Sequence, residues 1–178
     1  MRPKTRRLTD RRPRTAALWL PVLLLALLAV VRPAEATAAL RIGSSLPSVT
    51  LTAVNGMAVK IPESVKGKVV ILHFWQIGCS SCKLEMPVMD ELYGKNRQKG
   101  LEVLAVNVGQ NREKVKSFAA ELGVSYPLLI DAEKKSAALY GVTDVPRTYV
   151  VDRKGIVRYR ILGSASAETL KKLVFSLL

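Results

Sequence analysis

The spacing of apolar residues along the chain changes several times, and each change marks an element. Residues Ala16 to Val31 are almost unbrokenly apolar and follow a basic stretch that runs to Arg14. Past a short linker over Leu40 to Leu46, the segment Pro47-Ser-Val-Thr-Leu-Thr-Ala-Val-Asn-Gly56 alternates with period two, the pattern of a half-buried strand. Asn55-Gly56 predicts a tight hairpin turn, Met57 to Ile61 the returning strand, and Pro62-Glu-Ser a loop or single helical turn before a bend at Lys66-Gly67-Lys68. Together these form an N-terminal β-hairpin extension that caps the domain.

Val69 to Trp75 is apolar at nearly every position, which predicts a central strand covered on both faces. From Ser80 to about Arg97, Leu84, Val88, Met89, Leu92 and Tyr93 recur at helical spacing. Pro87 is expected to kink that helix, and Gly100 follows its end. Leu101 to Val108 predicts a second buried strand, Arg112 to Leu122 a helix closed by Gly123, and Leu128 to Asp131 a third strand. Lys134 to Tyr140 reads as a short helix, Thr148 to Asp152 and Ile156 to Leu162 as a hairpin about Arg153-Lys-Gly155, and Ala167 to Leu178 as a final helix. The alternation predicts an α/β three-layer sandwich, a mixed central sheet with helices on both faces. A chain of 178 residues, less a leader, holds one such domain and one active centre.

Composition changes this picture at the N-terminus. The formal net charge is +14, but residues 1–36 hold eight Lys or Arg and two acids, leaving +8 for the remainder. That remainder is basic on what read as solvated faces and loops, with no aromatic-rich binding motif, and it does not point to nucleic acid. A basic flank followed by an apolar run is a targeting segment, and Ala34-Glu35-Ala36 fits a small-x-small cleavage site. Residues 1–36 therefore read as a signal peptide, or as an uncleaved anchor, because the run is intermediate between a signal core and a membrane span. Either way residues 37–178 form an exported domain, in the periplasm or on the outer face of the cytoplasmic membrane. Contact with the membrane would come only through that N-terminal segment, if it is uncleaved.

The chemistry sits in Cys79-Ser80-Ser81-Cys82, which holds the only two cysteines of the chain, at the junction of the central strand and the following helix. Two intervening residues allow a small disulfide ring, and a helix N-terminus lowers the pKa of a thiol placed there. A thiolate so formed attacks disulfides. Zinc is disfavoured, because such a site needs four ligands and the chain has one histidine and no further cysteine.

With this order of elements, the chain resembles thioredoxin-like thiol-disulfide oxidoreductases of the exported TlpA/ResA type from about Leu46 to Leu178. The matching landmarks are the lead-in hairpin, Phe74-Trp75, Cys79-Ser-Ser-Cys82, Glu85, Pro87, Val106-Asn-Val108, Val145-Pro146 before a strand, and Gly163. The resemblance implies a thioredoxin-like sandwich in which Cys79 is the exposed nucleophile and Cys82 resolves the mixed disulfide. It implies that Glu85 tunes the thiols or relays a proton, the alternative being an ordinary exposed helix glutamate. It implies a cis peptide at Pro146, facing the cysteines, with Trp75, Val145 and Arg147 in the substrate groove. No cofactor is implied.

Departures from the family pattern are Gly78 and Ser81, where a tryptophan and a proline are usual, and His73, where an aspartate or asparagine is usual. His73 either exchanges a proton with Cys82 or is a hydrogen-bonded core histidine. Arg147 either favours the thiolate, meets an acidic substrate or is simply solvated. The leading functional reading is a reductase of disulfides in protein substrates, supplied with electrons by a membrane thiol carrier of the CcdA/DsbD kind. Apocytochrome c is a candidate substrate, and hence cytochrome c maturation a candidate process. A copper-handling protein of the same fold, a thiol peroxidase and a non-catalytic binding module are the alternatives. The first expects a wider cysteine spacing and a distal histidine on a loop. The second expects a threonine and a proline ahead of the cysteine, which Trp75-Gln-Ile-Gly78 does not supply.

Overall fold

A computed structural model describes residues 40–178; the leader expected over residues 1–36 lies outside the described residues. The strands are β1 (Val49–Ala53), β2 (Ala58–Ile61), β3 (Val69–Trp75), β4 (Leu101–Val108), β5 (Leu128–Asp131), β6 (Arg147–Val151) and β7 (Val157–Leu162). The helices are α1 (Ser80–Asn96), α2 (Arg112–Leu122), α3 (Lys135–Leu139) and α4 (Ala167–Phe175). All seven strands join one mixed sheet in the order β2-β1-β5-β4-β3-β6-β7. β3 runs parallel to β4 and antiparallel to β6, so both of its edges are paired, as its continuous apolar run requires.

Helices cover both faces. Val69, Ile71 and Trp75 of β3 pack with Cys82, Met86, Met89 and Leu92 of α1, Val115 of α2, and Leu170 and Val174 of α4. Val70, Leu72 and Phe74 face the other way, onto Ala137 of α3, Tyr140, Tyr149 and the N-terminal segment. The alternation of one strand thus divides the core in two. Every residue of β3 is buried.

The N-terminal hairpin is found as an extension of the sheet: β1 pairs antiparallel with β5, and Gly56 supplies the turn at φ +91°. Leu40 to Leu46 is no bare linker, because Leu40 and Leu46 are buried in the core and Ser45 bridges Ile156. Leu84 does not belong to the buried face of α1; it is 76 % exposed, and the stripe instead runs through Cys82, Glu85, Met86, Met89 and Leu92. α1 runs through Pro87 to Asn96, and α4 ends at Phe175 rather than Leu178.

Candidate active site

β3 hands over to α1 through Gln76-Ile77-Gly78, with Gly78 at φ +95°, a conformation that side chains with a Cβ rarely adopt. Gln110, in the loop between β4 and α2, braces this lead-in. Its Oε1 accepts from the Ile77 N–H and from Asn107 Nδ2, both at 2.8 Å, and its Nε2 donates to the Ile77 carbonyl at 3.4 Å. Gln76 Nε2 donates to the Val108 carbonyl at 2.9 Å. Two consecutive residues before the cysteines are therefore fixed to the end of the neighbouring strand.

Cys79 and Cys82 are joined as a disulfide with Cα atoms 5.3 Å apart. Cys79 is the N-cap of α1: its Sγ accepts the Cys82 N–H at 3.2 Å, with Ser81 Oγ at 3.6 Å. A donor of this kind, with the positive end of the helix dipole, favours a thiolate at Cys79 over one at Cys82. The first sulfur's residue is half-buried and the second's fully buried.

One turn beyond Cys82, Glu85 is 5 % exposed and lies on the same buried stripe, so it is not an ordinary surface glutamate. Its Oε1 accepts the Ala165 N–H at 2.5 Å, from the segment before α4, and its Oε2 stands 4.0 Å from His73 Nδ1. Burial pushes the carboxyl pKa up, and the Ala165 hydrogen bond opposes that. His73 is fully buried, and strand alternation turns it to the face that carries Cys82. Its Nδ1 lies 2.9 Å from Thr148 Oγ1 on β6, and its Nε2 has no partner among the described residues. Burial pulls the imidazole down to about 3, so the ring is neutral.

The Val145–Pro146 peptide is cis, and the Pro146 carbonyl accepts the Gly163 N–H at 3.1 Å. Beside the half-buried Val145, a cleft of about 490 Å³ opens between Gln76, Val108, Val142, Thr143 and Asp144. Two residues expected in a groove are elsewhere. Trp75 is wholly buried, its ring centroid 5.3 Å from that of Phe118, because its strand position turns it under α1 and α2. Arg147 is 8 % exposed rather than solvated, with its Nε unpartnered; it pairs in register with Phe74 and so faces away from Cys82. Thr148, Gln110 and Ala165 escaped the sequence reading, since nothing local distinguishes a residue that will meet a distant segment.

The sequence profile of the AhpC/TSA family matches residues 42–160. The thiol-disulfide oxidoreductase ResA of Geobacillus thermodenitrificans is 36% identical over 134 residues, 75% of this chain and 76% of that protein. A crystal structure from Chlorobium tepidum, assigned as the thiol:disulfide interchange protein DsbE, superposes with a TM-score of 0.73 at 28% identity, covering 78% of this chain and 99% of that one. The thioredoxin domain of a thiol-disulfide oxidoreductase from Bacteroides vulgatus superposes with a TM-score of 0.68 at 25% identity, over 76% of this chain and 99% of that one.

Proposed function

The chain belongs to the AhpC/TSA family and to its thioredoxin-like thiol-disulfide oxidoreductases of the ResA type, and on that footing we propose that it reduces substrate disulfides outside the cytoplasmic membrane. The observation that carries the reading is the asymmetry of the pair: a half-buried Cys79 capping α1 above a fully buried Cys82 that shares its helix face with Glu85. Export is supported by the basic and then apolar leader over residues 1–36.

In the dithiol form, the Cys79 thiolate attacks one sulfur of the substrate disulfide. The other substrate sulfur leaves as a thiolate and takes a proton from solvent. Cys82 then loses its proton and attacks Cys79 Sγ, releasing the second substrate sulfur and closing the Cys79–Cys82 disulfide. Two electrons pass from enzyme to substrate. Val145, next to the cis Pro146, borders the cleft in which an extended substrate segment would lie.

Two buried groups compete for the Cys82 proton, and magnitudes decide between them. Burial pulls the His73 imidazole down to about 3, which makes it a poor acceptor for a thiol proton. The Glu85 carboxyl, raised by burial, is the better acceptor and lies one helical turn beyond Cys82 on the same buried stripe. Glu85 is therefore the acceptor, and His73 serves as its neutral polar neighbour. Replacing Glu85→Gln is expected to shift the pH dependence of thiol alkylation; an unchanged titration curve rejects the role.

Each turnover leaves the disulfide, so an exported reductase needs a dithiol donor, which we assign to a membrane thiol carrier of the CcdA/DsbD kind. The assigned substrate class is a protein disulfide such as that of the haem-attachment cysteines of apocytochrome c. The test is a Cys82→Ala variant used to capture covalent partners in the native envelope, beside the wild-type reduction potential. A strongly reducing potential with trapped apocytochrome is expected. A value near about −120 mV, that of a strong oxidant, would instead assign disulfide formation.

A further inference from the structure

Thr148 lies opposite His73 in the register of β3 and β6, with its Oγ1 2.9 Å from His73 Nδ1. A neutral imidazole carries one hydrogen, on either nitrogen. Placed on Nδ1, it is donated to Thr148 Oγ1 and lies on the side of the ring that faces Glu85 Oε2, 4.0 Å away; Nε2 then keeps only a lone pair. Placed on Nε2, it becomes a buried N–H with no acceptor among the described residues. Folded proteins tolerate an unpaired acceptor better than an unpaired buried N–H. The Glu85 carboxylate oxygen 4.0 Å from Nδ1 attracts a hydrogen placed there, and the orphaned Nε2 needs none, so the ring takes the Nδ1–H tautomer with Thr148 Oγ1 as the acceptor that holds it.

We propose that Thr148 is a positioning residue of the redox site: by fixing His73 with its Nδ1–H toward Thr148 Oγ1 and Glu85, it favours the ionised form of Glu85. The functional consequence rests on the reading of Glu85 as acceptor of the Cys82 proton. The groups that face Glu85 are Cys82 on its own helix, His73 on β3 and the Ala165 N–H before α4; no Lys or Arg among the described residues pairs with it. The Ala165 N–H opposes the effect of burial on this carboxyl, and the His73 Nδ1–H held by Thr148 adds a second N–H dipole to it. With the opposite tautomer, the His73 lone pair would face Oε2 and favour the protonated acid.

His73 is the only histidine of the chain, so its ring ¹⁵N signals need no assignment. In the oxidised full chain at neutral pH, purified in detergent, long-range ¹H–¹⁵N spectra are expected to show Nδ1 protonated in wild type. Thr148→Val should move the ring toward Nε2–H, and Thr148→Ser should restore it. The Glu85 carboxyl, followed by ¹³C shift, should titrate about one pH unit higher in Thr148→Val, a tenfold change in its ionisation constant, and return to the wild-type value in Thr148→Ser. An Nε2–H ring in wild type, or an unshifted Glu85 titration in Thr148→Val, overturns the proposal. Glu85→Gln separates the two readings: unchanged thiol titration there removes Glu85 as proton acceptor, whatever the tautomer spectra show.

Discussion

At the residue scale, His73 and Glu85 tie stability to pH with opposite signs. The His73 imidazole falls from 6.5 to about 3 on folding, so between those values the unfolded chain binds a proton that the folded chain refuses. Its contribution is intact above about pH 6.5 and is lost as the pH falls through that window. Glu85 does the reverse: its raised carboxyl gives stability that is fully present below the ordinary value of 4.5 and is lost as the pH rises through the folded value. Replacing His73→Asn should therefore flatten the acid side of the urea-midpoint profile by as much as about 1.4 kcal/mol per pH unit. Parallel profiles for the two proteins would show that the ring is not held neutral. Cys79, Cys82 and Glu85 were legible because one helical turn relates them. Trp75 and Arg147 were misplaced, because a strand that is apolar at every position does not reveal which of its faces meets which helix.

At the scale of elements, the candidate site lies where β3 hands over to α1, beside the loop between β4 and α2. The elements themselves follow from local rules, and most predicted boundaries fall within one or two residues of those observed. Their mutual bracing does not. Gln110 holds Ile77 by both its N–H and its carbonyl, a contact across thirty-three positions of sequence. Gln110→Ala is expected to speed amide exchange at Ile77 and to cost about 1 kcal/mol of stability. It should also lower the disulfide-reduction rate about tenfold through loss of alignment at Cys79. Slow exchange at Ile77 in the variant would show that the lead-in is rigid without the brace. Leu84 illustrates the limit of periodicity: it fits a helical repeat with Val88 and Leu92, yet the buried stripe is rotated onto Cys82, Glu85 and Met89 by the position of the sheet.

At the scale of the whole molecule, the domain is held by segments far from the cysteines. Leu46 is buried against the sheet face opposite α1, and the Leu46 N–H donates to the Gly155 carbonyl at 3.3 Å. Leu46→Ala should cost about 2–4 kcal/mol in urea unfolding, a cavity effect, while the thiol titration curve stays unchanged. A shifted thiol curve would mean that the N-terminal segment reaches the redox site. The sequence by itself determined the sandwich, the order of its elements, the dithiol chemistry and the helix turn that joins Cys82 to Glu85, because periodicity, turn residues and short spacings act within a few residues. Only the tertiary structure decided that Glu85 is buried, that His73 is neutral and bonded to Thr148, and that Trp75 and Arg147 lie away from a groove. Those outcomes depend on which strands pair and on which face each alternation turns inward, and long-range packing sets both.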